Sequence, residues 1–479
     1  MPPNPDAATT DAPAPAAAPP GGGTRSWIER LWSSVADRGR AYAAPQPADA
    51  PPLERARALA GALLSERGEA SGASVARDLV AAMRALPDGD RAAFRRHLAA
   101  GFGPDPSRLR AACEAYLADP APDAAARLAE AAEPPRQELL RRMNMSPGGT
   151  AALVEARREL LADLRADPDP AALAPLDADL RHLLGSWFNR GFLELRRIDW
   201  QTPAAVLEKL IAYEAVHEIA GWDDLRRRLA ADRRCFGFFH PALPGEPLIF
   251  VEVALTEGLA SAVQPLLATP ADPAEPARAA ARADTAIFYS ISNCQEGLRG
   301  ISFGNFLIKQ VVEDLKAELP RLVRFSTLSP IPGLRRWLDR ALDGEDATGA
   351  TGLAPHEAAF LRETTGREGW WRDAAAAEAL RAPLLRACAR YLTRPHAHGS
   401  RGLDPVARFH LGNGARLERI NHLGNTAPRG LAESHGLMAN YLYDPEAIER
   451  HHEAFARHGA VARSAAVDAL LSDKAGVAA

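Results

Sequence analysis

The sequence contains few of the features that would assign it to a protein class at once. Its four cysteines are far apart and form no C-x-x-C pair: Cys113, Cys235, Cys294 and Cys388. This spacing argues against a structural zinc site and fits a reducing compartment. No run of about 18 apolar residues occurs, and no charged-then-apolar signal opens the chain. We therefore predict a cytoplasmic protein that neither crosses a membrane nor is exported.

The net charge of the chain is small, and motifs that bind metals or phosphates are also scarce. The formal net charge is −4, with acidic and basic residues interspersed, so nothing predicts nucleic acid or an anionic membrane as a partner. Three His-Glu pairs begin like a zinc-protease motif, but each lacks the second histidine at the required position. No P-loop occurs. These absences argue against metal-dependent hydrolysis and nucleotide hydrolysis.

The length and the change in composition along the chain predict its organisation. At 479 residues the chain exceeds one ordinary hydrophobic core, so at least two domains are expected. Residues 1–25 are rich in Ala and Pro, which predicts a disordered tail. Residues 26–190 have apolar positions at three- and four-residue intervals, which predict a helical domain. In residues 191–479, β-like runs appear, so the predicted fold class is α+β, a helical domain followed by a mixed-sheet domain.

Residues 286–333 form the pattern around which the sheet domain is organised. A β-branched and aromatic run at 286–291 predicts a strand, and apolar residues at helical spacing from Phe303 predict a helix. Between them, Gly300 and Gly304 allow a tight turn that brings free N–H groups close to a ligand. Such groups at a helix N-terminus favour an anion such as a pyrophosphate. A glycine-containing connection without a ligand fits this spacing equally well.

Four β-like runs set the expected topology of the second domain. They lie at 235–240, 248–255, 286–291 and 322–328. Pro244, Gly245 and Glu246 predict a hairpin turn between the first two runs, and the strand, helix and strand in succession predict a parallel crossover. Residues 335–395 are expected to be helical, with an interruption at 344–354. The segment from 404 to 443 shows no clean periodicity.

Three separated blocks of the sequence form one pattern: 288–292 with the following turn, 325–333, and 409–415 followed by 436–443. Together these blocks resemble the malonyl-CoA decarboxylase family. The resemblance is specific from roughly 192 to 443 and extends weakly over the helical region. It implies a catalytic domain similar to the acetyl-CoA-dependent N-acetyltransferase fold, in agreement with the β, β, β, α, β order. It also implies that the helical domain serves oligomerisation, in a homotetramer.

The resemblance also implies which residues form the site. In the acetyltransferase fold, a Gln/Arg-x-x-Gly-x-Gly/Ala turn binds the CoA pyrophosphate. The corresponding residues here are Arg299, Gly300, Ile301, Ser302, Phe303, Gly304 and Asn305. Ser302 departs from the glycine that acetyltransferases prefer and from the glutamate of animal decarboxylases, so no role of that carboxylate transfers to this chain. The implied catalytic residues are Ser329 and His410. Tyr443 is added as a further catalytic residue, and Asn413 as a further hydrogen-bond donor.

These side chains suit the decarboxylation of malonyl-CoA without a metal or an organic cofactor, because the thioester itself is the electron sink. A hydroxyl such as that of Ser329 can hold the reacting conformation by a hydrogen bond. Donors aimed at the developing enolate oxygen stabilise its charge. His410 can protonate the α-carbon, since the unperturbed pKa of histidine lies near neutral pH.

Each residue also has an ordinary structural interpretation. Ser329 before Pro330 fits a strand end that caps a turn, and His410 between two apolar residues fits a buried histidine. Tyr443 fits a core position equally well. No Gly-x-Ser-x-Gly elbow surrounds Ser329, which argues against a serine thioesterase. Two other functions stay open: an N-acetyltransferase that uses acetyl-CoA, and a non-catalytic CoA-binding regulator.

Overall fold

The computed structural model describes residues 27–39, 50–65, 68–167, 170–301, 307–344, 351–393 and 403–472. The predicted tail, residues 1–25, lies outside these ranges. So do residues 302–305 of the predicted phosphate turn and most of the predicted interruption at 344–354.

Helices fill the first part of the chain, as the spacing of apolar residues predicts. They are α1 (Trp27–Gly39), α2 (Pro52–Ser65), α3 (Glu69–Ala85), α4 (Asp88–Gly101), α5 (Pro106–Ala118), α6 (Pro122–Ala132), α7 (Pro135–Asn144), α8 (Gly149–Ala166) and α9 (Ala174–Trp187). In α2 the residues at positions i, i+3, i+4 and i+7 are buried, because one face of the helix meets its neighbours. Asp105 caps α5 by accepting hydrogen bonds from the backbone N–H groups of Ser107 and Arg108.

The sheet domain begins after α9. Its first elements are β1 (Glu194–Ile198), α10 (Ala204–Tyr213), α11 (Trp222–Arg228), β2 (Arg233–Phe239), β3 (Pro247–Thr256), α12 (Gln264–Leu267), α13 (Glu275–Arg282) and β4 (Thr285–Asn293). The remaining elements are α14 (Leu307–Glu318), β5 (Arg324–Thr327), β6 (Ser329–Pro330), α15 (Leu334–Leu342), α16 (Pro355–Thr365), α17 (Ala374–Thr393), α18 (Pro405–Gly412), β7 (Arg416–Asn421), α19 (Pro428–Ser434), β8 (Met438–Leu442), α20 (Ile448–His458) and α21 (Ala465–Ser472).

The strands form one mixed sheet in the order β1-β2-β3-β4-β5-β8-β6, with β7 paired to β8. The pairs β1–β2, β2–β3 and β3–β4 are antiparallel, and the pair β4–β5 is parallel. The four predicted strands correspond to β2 to β5, and Gly245 occupies the predicted hairpin turn at a φ of +72°. The predicted α+β class, helices followed by a mixed sheet, is confirmed.

The strands β1, β7 and β8 and the short strand β6 were not predicted. β1 and β7 carry several charged residues, and only part of each strand is buried, so neither shows apolar alternation. The segment 404–443, where no periodicity is visible, contains α18, β7, α19 and β8. β8 is buried along most of its length, which removes the alternation that marks a half-exposed strand. Long-range pairing therefore decides these elements more than local sequence does.

The centre of the sheet divides where β4 and β5 separate. Their parallel pairing runs from Thr285↔Arg324 to Phe288↔Thr327 and then stops. At this point β4 also contains a bulge against β3, with Tyr289 as the extra residue between Phe288 and Ser290. Bulges bend a strand and are common beside active sites. The separation opens a cleft between β4 and the short strand β6.

One cluster of buried apolar side chains continues from the helical region into the sheet domain. Val154 of α8 and Phe288 of β4 belong to it, together with Leu298 of the turn after β4. The turn is therefore packed between the two parts of the chain. None of the helices in the described ranges combines the length and the apolar character that a membrane crossing demands.

Candidate active site

Ser329 and His410 lie side by side although they are far apart in the sequence. Ser329 is in β6, and His410 is in the last turn of α18. Asp404 fixes the start of α18 by accepting from the N–H groups of Val406 and Ala407. The Oγ of Ser329 is 3.0 Å from Nε2 of His410, within hydrogen-bond distance. Both side chains are buried, at 5% and 3% exposure.

The second ring nitrogen of His410 contacts Tyr443. Its Nδ1 lies 2.8 Å from the phenol oxygen. Tyr443 follows β8, and its backbone N–H donates to the carbonyl of Phe325 in β5, which fixes its position. The ring of Tyr441 stacks on the imidazole with centroids 4.8 Å apart and an interplanar angle of 24°. The imidazole is thus held at both nitrogens and on one face.

The hydrogen-bond pattern assigns the tautomer of His410. Burial raises the pKa of Tyr443 well above its ordinary value, so the phenol keeps its proton. His410 Nδ1 is the phenol's partner among the described residues, so the satisfied arrangement has the O–H of Tyr443 donating to Nδ1. The ring proton then resides on Nε2 and points to Ser329 Oγ.

Thr327 completes this chain of hydrogen bonds. The O–H of Ser329 donates to Oγ1 of Thr327 over 2.8 Å, and the same oxygen accepts from the backbone N–H of Tyr441 over 3.1 Å. Sequence reasoning missed both Thr327 and Tyr441. Thr327 lies within a block of the family resemblance, two residues before Ser329, which puts both side chains on one face of an extended segment.

Burial lowers the pKa of His410 to about 3. Desolvation is the cause of the shift, and no carboxylate among the described residues offsets it. The imidazole is therefore neutral at pH 7 in the free protein. The sequence-based argument from the unperturbed pKa of histidine is wrong for this state, since the ring is shut away from water.

This neutral state predicts a pH dependence. Because the pKa is lower in the folded than in the unfolded chain, the unfolded chain binds the proton first as the pH falls. The stability that neutral His410 contributes is complete above pH ~6.5 and is lost towards pH 3, by about 1.4 kcal/mol per pH unit. In NMR titrations, the ring C–H signals that disappear in His410→Asn should keep their neutral-form shifts down to pH 5. A midpoint near 6.5 would contradict the burial argument.

The Tyr443→Phe substitution tests the role of the phenol as a positioning group. Removing the hydroxyl leaves the buried Nδ1 without its donor, which costs about 1–3 kcal/mol. We expect kcat to fall about tenfold with KM nearly unchanged. The ¹⁵N shifts of the ring should change from a single Nε2–H tautomer to a mixture. A purely packing role for Tyr443 would leave the tautomer unchanged, and that result would refute the assignment.

Ser329 and His410, called the dyad from here on, face a cleft of about 690 Å³. The same cleft contains the start of the predicted CoA-binding turn. Arg299, Gly300 and Ile301 line the cleft together with Ser329 and His410. Other residues that line it are Phe288, Tyr289, Ser290, Ile291, Val406 and Asn413. The described part of the turn and the dyad, predicted from separate blocks, therefore open onto one space. Ser302, Phe303, Gly304 and Asn305 lie outside the described residues.

The described part of the turn contains one residue, Gly300, in the left-handed backbone region. Gly300 has a φ of +78°, and nothing lies within 4 Å of the position that a Cβ would occupy. Only the backbone conformation therefore favours glycine here. The side chain of Arg299 is 64% exposed and 3.6 Å from a carboxylate oxygen of Glu296. At this exposure the pair is weak, so the guanidinium is available to an anionic ligand.

The edge of β4 supplies a further feature of the cleft. Among the described residues, this strand has no ladder partner on the side of β5 beyond Phe288, while its other edge stays paired with β3. Backbone polar groups need partners. His217 forms a hydrogen bond with the backbone of Tyr289, and the groups of this edge that are left bond to solvent or to a ligand. Tyr289, Ser290 and Ile291, at the bulge and after it, line the cleft. This edge could not be found from sequence, because the separation of β4 from β5 arises from tertiary pairing.

Cys294, which follows β4, and Asn413 both have structural contacts. Cys294 is buried in an apolar cluster, and burial raises the pKa of its thiol, which argues against a nucleophile. Asn413 lines the cleft, and its side-chain nitrogen donates to the carbonyl of Phe409 over 2.7 Å. That bond uses one of the two amide protons, and its side chain holds the end of α18.

The chain was compared with known proteins. It matches the malonyl-CoA decarboxylase N-terminal domain over residues 102–188 and the C-terminal domain over residues 191–478. The solved malonyl-CoA decarboxylase from Rhodopseudomonas palustris is 52% identical with a TM-score of 0.80, over 87% of this chain and 98% of that one. The mitochondrial malonyl-CoA decarboxylase of Mus musculus is 37% identical over 74% of this chain and 76% of that protein. The goose (Anser anser anser) relative is 39% identical over 65% of this chain and 64% of that protein, slightly under two thirds of its length.

The fold has a helical region followed by a mixed sheet that opens around a buried serine and histidine, which is an α+β arrangement. The C-terminal match alone covers more than half of the chain. The chain belongs to the malonyl-CoA decarboxylase family. The predicted family and the predicted enzyme class, a carboxy-lyase, are confirmed.

Proposed function

We propose that this chain converts malonyl-CoA to acetyl-CoA and CO2 in the cleft that joins Arg299 to Ser329 and His410. The observation that carries the proposal is that Ser329 Oγ and His410 Nε2 lie 3.0 Å apart, facing the same space as the described part of the predicted CoA turn. One molecule can then contact the turn with its nucleotide half and the dyad with its malonyl half.

Substrate binding would change the protonation of His410. The malonyl carboxylate, placed beside Nε2, is an opposite charge in a buried site, and such a charge favours the protonated imidazole. The substrate would therefore raise the pKa of His410 from its value of about 3 in the free protein. The proton comes from solvent, and it is the proton that the overall reaction consumes.

Loss of CO2 would follow from orientation and charge. The hydroxyl of Ser329 can hold the carboxylate or the thioester oxygen so that the breaking C–C bond stands perpendicular to the thioester plane. The electron pair of that bond passes to the thioester and forms an enolate. In this proposal, backbone N–H groups on the edge of β4 that faces the cleft, next to Ser290, would stabilise the enolate oxygen. The thioester accepts the electrons, so the step as written uses no additional cofactor.

Protonation of the enolate would complete the reaction. When the carboxylate leaves as CO2, the negative charge moves onto the enolate, and imidazolium at His410 is the nearest acid. Transfer of its Nε2 proton to the α-carbon gives acetyl-CoA and leaves the neutral ring protonated at Nδ1. Loss of that proton and uptake of one at Nε2, both by exchange with solvent, restore the starting tautomer. Tyr443 and Tyr441 act by fixing the tautomer and the plane of the ring.

The purified protein tests this function directly. With malonyl-CoA labelled with ¹³C in the free carboxylate, we expect labelled CO2 and acetyl-CoA in a one-to-one ratio, with no added metal or cofactor. Failure to release CO2 would refute the proposal. Transfer of an acetyl group from acetyl-CoA to an amine would instead support the acetyltransferase alternative, and CoA binding without either reaction would support a regulatory role.

We also propose that the predicted CoA-binding residues 299–305 hold the pyrophosphate, and that the chain works as a homotetramer in the cytoplasm. Arg299 and Gly300 support the first point by their exposure and backbone conformation. The tetramer rests on the family resemblance, and light scattering of the purified protein measures it. The mouse and goose relatives are named mitochondrial, so fractionation of the source cells is the test of location.

A further inference from the structure

Arg157 connects the helical region to the turn that leads into the proposed CoA site. It lies on α8, and its side chain is 2% exposed. Its Nη1 donates to the carbonyl of Gly297 over 2.7 Å and to the carbonyl of Arg299 over 2.9 Å. These two residues are 140 and 142 positions further along the chain. One buried guanidinium group thus holds two peptide groups of the same turn.

The contacts fix the turn from the side opposite to the ligand. Arg157 is not among the residues that line the cleft, whereas Arg299, Gly300 and Ile301 are. Holding the carbonyls of Gly297 and Arg299 sets the peptide planes between Gly297 and Leu298 and between Arg299 and Gly300, and with them the direction of the chain at Gly300. Because the guanidinium is planar and rigid, it constrains both carbonyls together.

The charge of Arg157 is already neutralised within the protein. Its Nε donates to a carboxylate oxygen of Asp177 in α9 over 2.9 Å. A buried cation that is paired and hydrogen-bonded in this way acts through geometry, whereas the exposed Arg299 offers its charge to solvent and ligands. The two arginines therefore have different roles in the same turn.

Close packing supports the same contact. A Cβ added at Gly297 would lie 1.9 Å from the backbone carbonyl oxygen of Val154, one turn before Arg157 on α8. Only glycine can occupy this position unless the helix and the turn separate. The neighbouring Leu298 is buried in the cluster that also contains Val154. The helical region therefore forms the back wall of the turn.

We infer that Arg157 is a positioning residue for the nucleotide half of the substrate, acting through the carbonyls of Gly297 and Arg299. The inference deepens the proposed function and rests on it, since it concerns the same CoA site. It gives the helical region a part in substrate binding in addition to assembly. Arg157 itself touches neither the thioester nor the nucleotide.

Substrates of two lengths separate positioning from general destabilisation. In Arg157→Met we expect KM for malonyl-CoA and the dissociation constant for CoA to rise about tenfold, with kcat nearly unchanged. Malonyl-pantetheine lacks the pyrophosphate and the nucleotide, so its kcat/KM should change less than about twofold. Arg157→Lys keeps the charge without the planar fork and should give the same pattern; it is the variant to use if Arg157→Met does not fold.

Arg95→Met is the matched control. Arg95 is another buried arginine of the helical region, and it pairs with Glu159 and Asp163 of α8 without contact to the turn. Its loss should lower the melting temperature while leaving the dissociation constant for CoA unchanged. Equal losses with both substrates in the Arg157 variants, or no change in either, would overturn the inference. If the wild type bound CoA but released no CO2, the proposed function would fail, and CoA binding would still test Arg157.

Discussion

Replacing His410 by asparagine is expected to lower kcat for CO2 release by about 10²–10⁴-fold, the usual contribution of a positioned proton donor. Asparagine is polar and smaller, and it cannot carry the proton that the α-carbon must receive. The dissociation constant for CoA should stay within about threefold of the wild-type value, since proton donation acts in the transition state. Stopped-flow assays and calorimetry measure the two quantities on the same preparation.

His452→Asn is the control for this prediction. Nδ1 of His452, on α20, lies 2.7 Å from the carbonyl of Gly412, at the end of the helix that carries His410. This histidine touches the same helix but does not line the cleft. Its replacement should affect stability and leave kcat unchanged. Loss of CoA affinity in His410→Asn equal to the loss of turnover would show that His410 binds the substrate and does not supply the proton.

Replacing Ser329 by alanine is expected to lower kcat by about 10²-fold, similar to the loss of one donor that stabilises a developing oxyanion. The variant removes the oxygen that accepts from His410 Nε2 and the hydroxyl of a residue that lines the cleft. The ring would keep its tautomer, because Tyr443 still donates to Nδ1. The effect should therefore appear in turnover while the NMR signals of His410 show the same neutral tautomer.

Ser326→Ala controls for the loss of a buried serine from the same segment. The hydroxyl of Ser326 donates to the backbone carbonyl of Tyr441 over 3.1 Å, and the residue does not line the cleft. Its loss should lower the melting temperature with kcat within about twofold of wild type. Similar kcat values for Ser329→Ala and Ser326→Ala would remove Ser329 from the mechanism.

Local sequence predicted the parts of the fold that local physics determines. The strands β2 to β5 are compact apolar runs, and the helix α2 follows from its apolar spacing. β7 and β8 were not predicted because their residues show no alternation of apolar and polar side chains. They are strands because β7 pairs with β8, and β8 also pairs with β5 and β6. These pairings join segments far apart in sequence.

The dyad itself could be predicted only through the family resemblance. Ser329 and His410 are 81 positions apart, and neither residue has a local signature stronger than its structural interpretation. The resemblance did not supply the environment. Three features depend on which groups the fold buries together. They are the lowered pKa of His410, the hydrogen bond from Ser329 to Thr327, and the hydrogen bond from Arg157 to the turn. Burial and long-range contacts are not readable from residue types alone.

A single turnover in D2O tests the central claim most directly. Wild-type protein in excess over malonyl-CoA should release one CO2 per substrate and form acetyl-CoA with one deuterium in its methyl group, both at the same rate. His410→Asn, at saturating protein and with unchanged CoA affinity, should form both products at least a hundredfold more slowly. Product formation by the variant at the wild-type rate would contradict the assignment of the cleft and its dyad as the decarboxylation site.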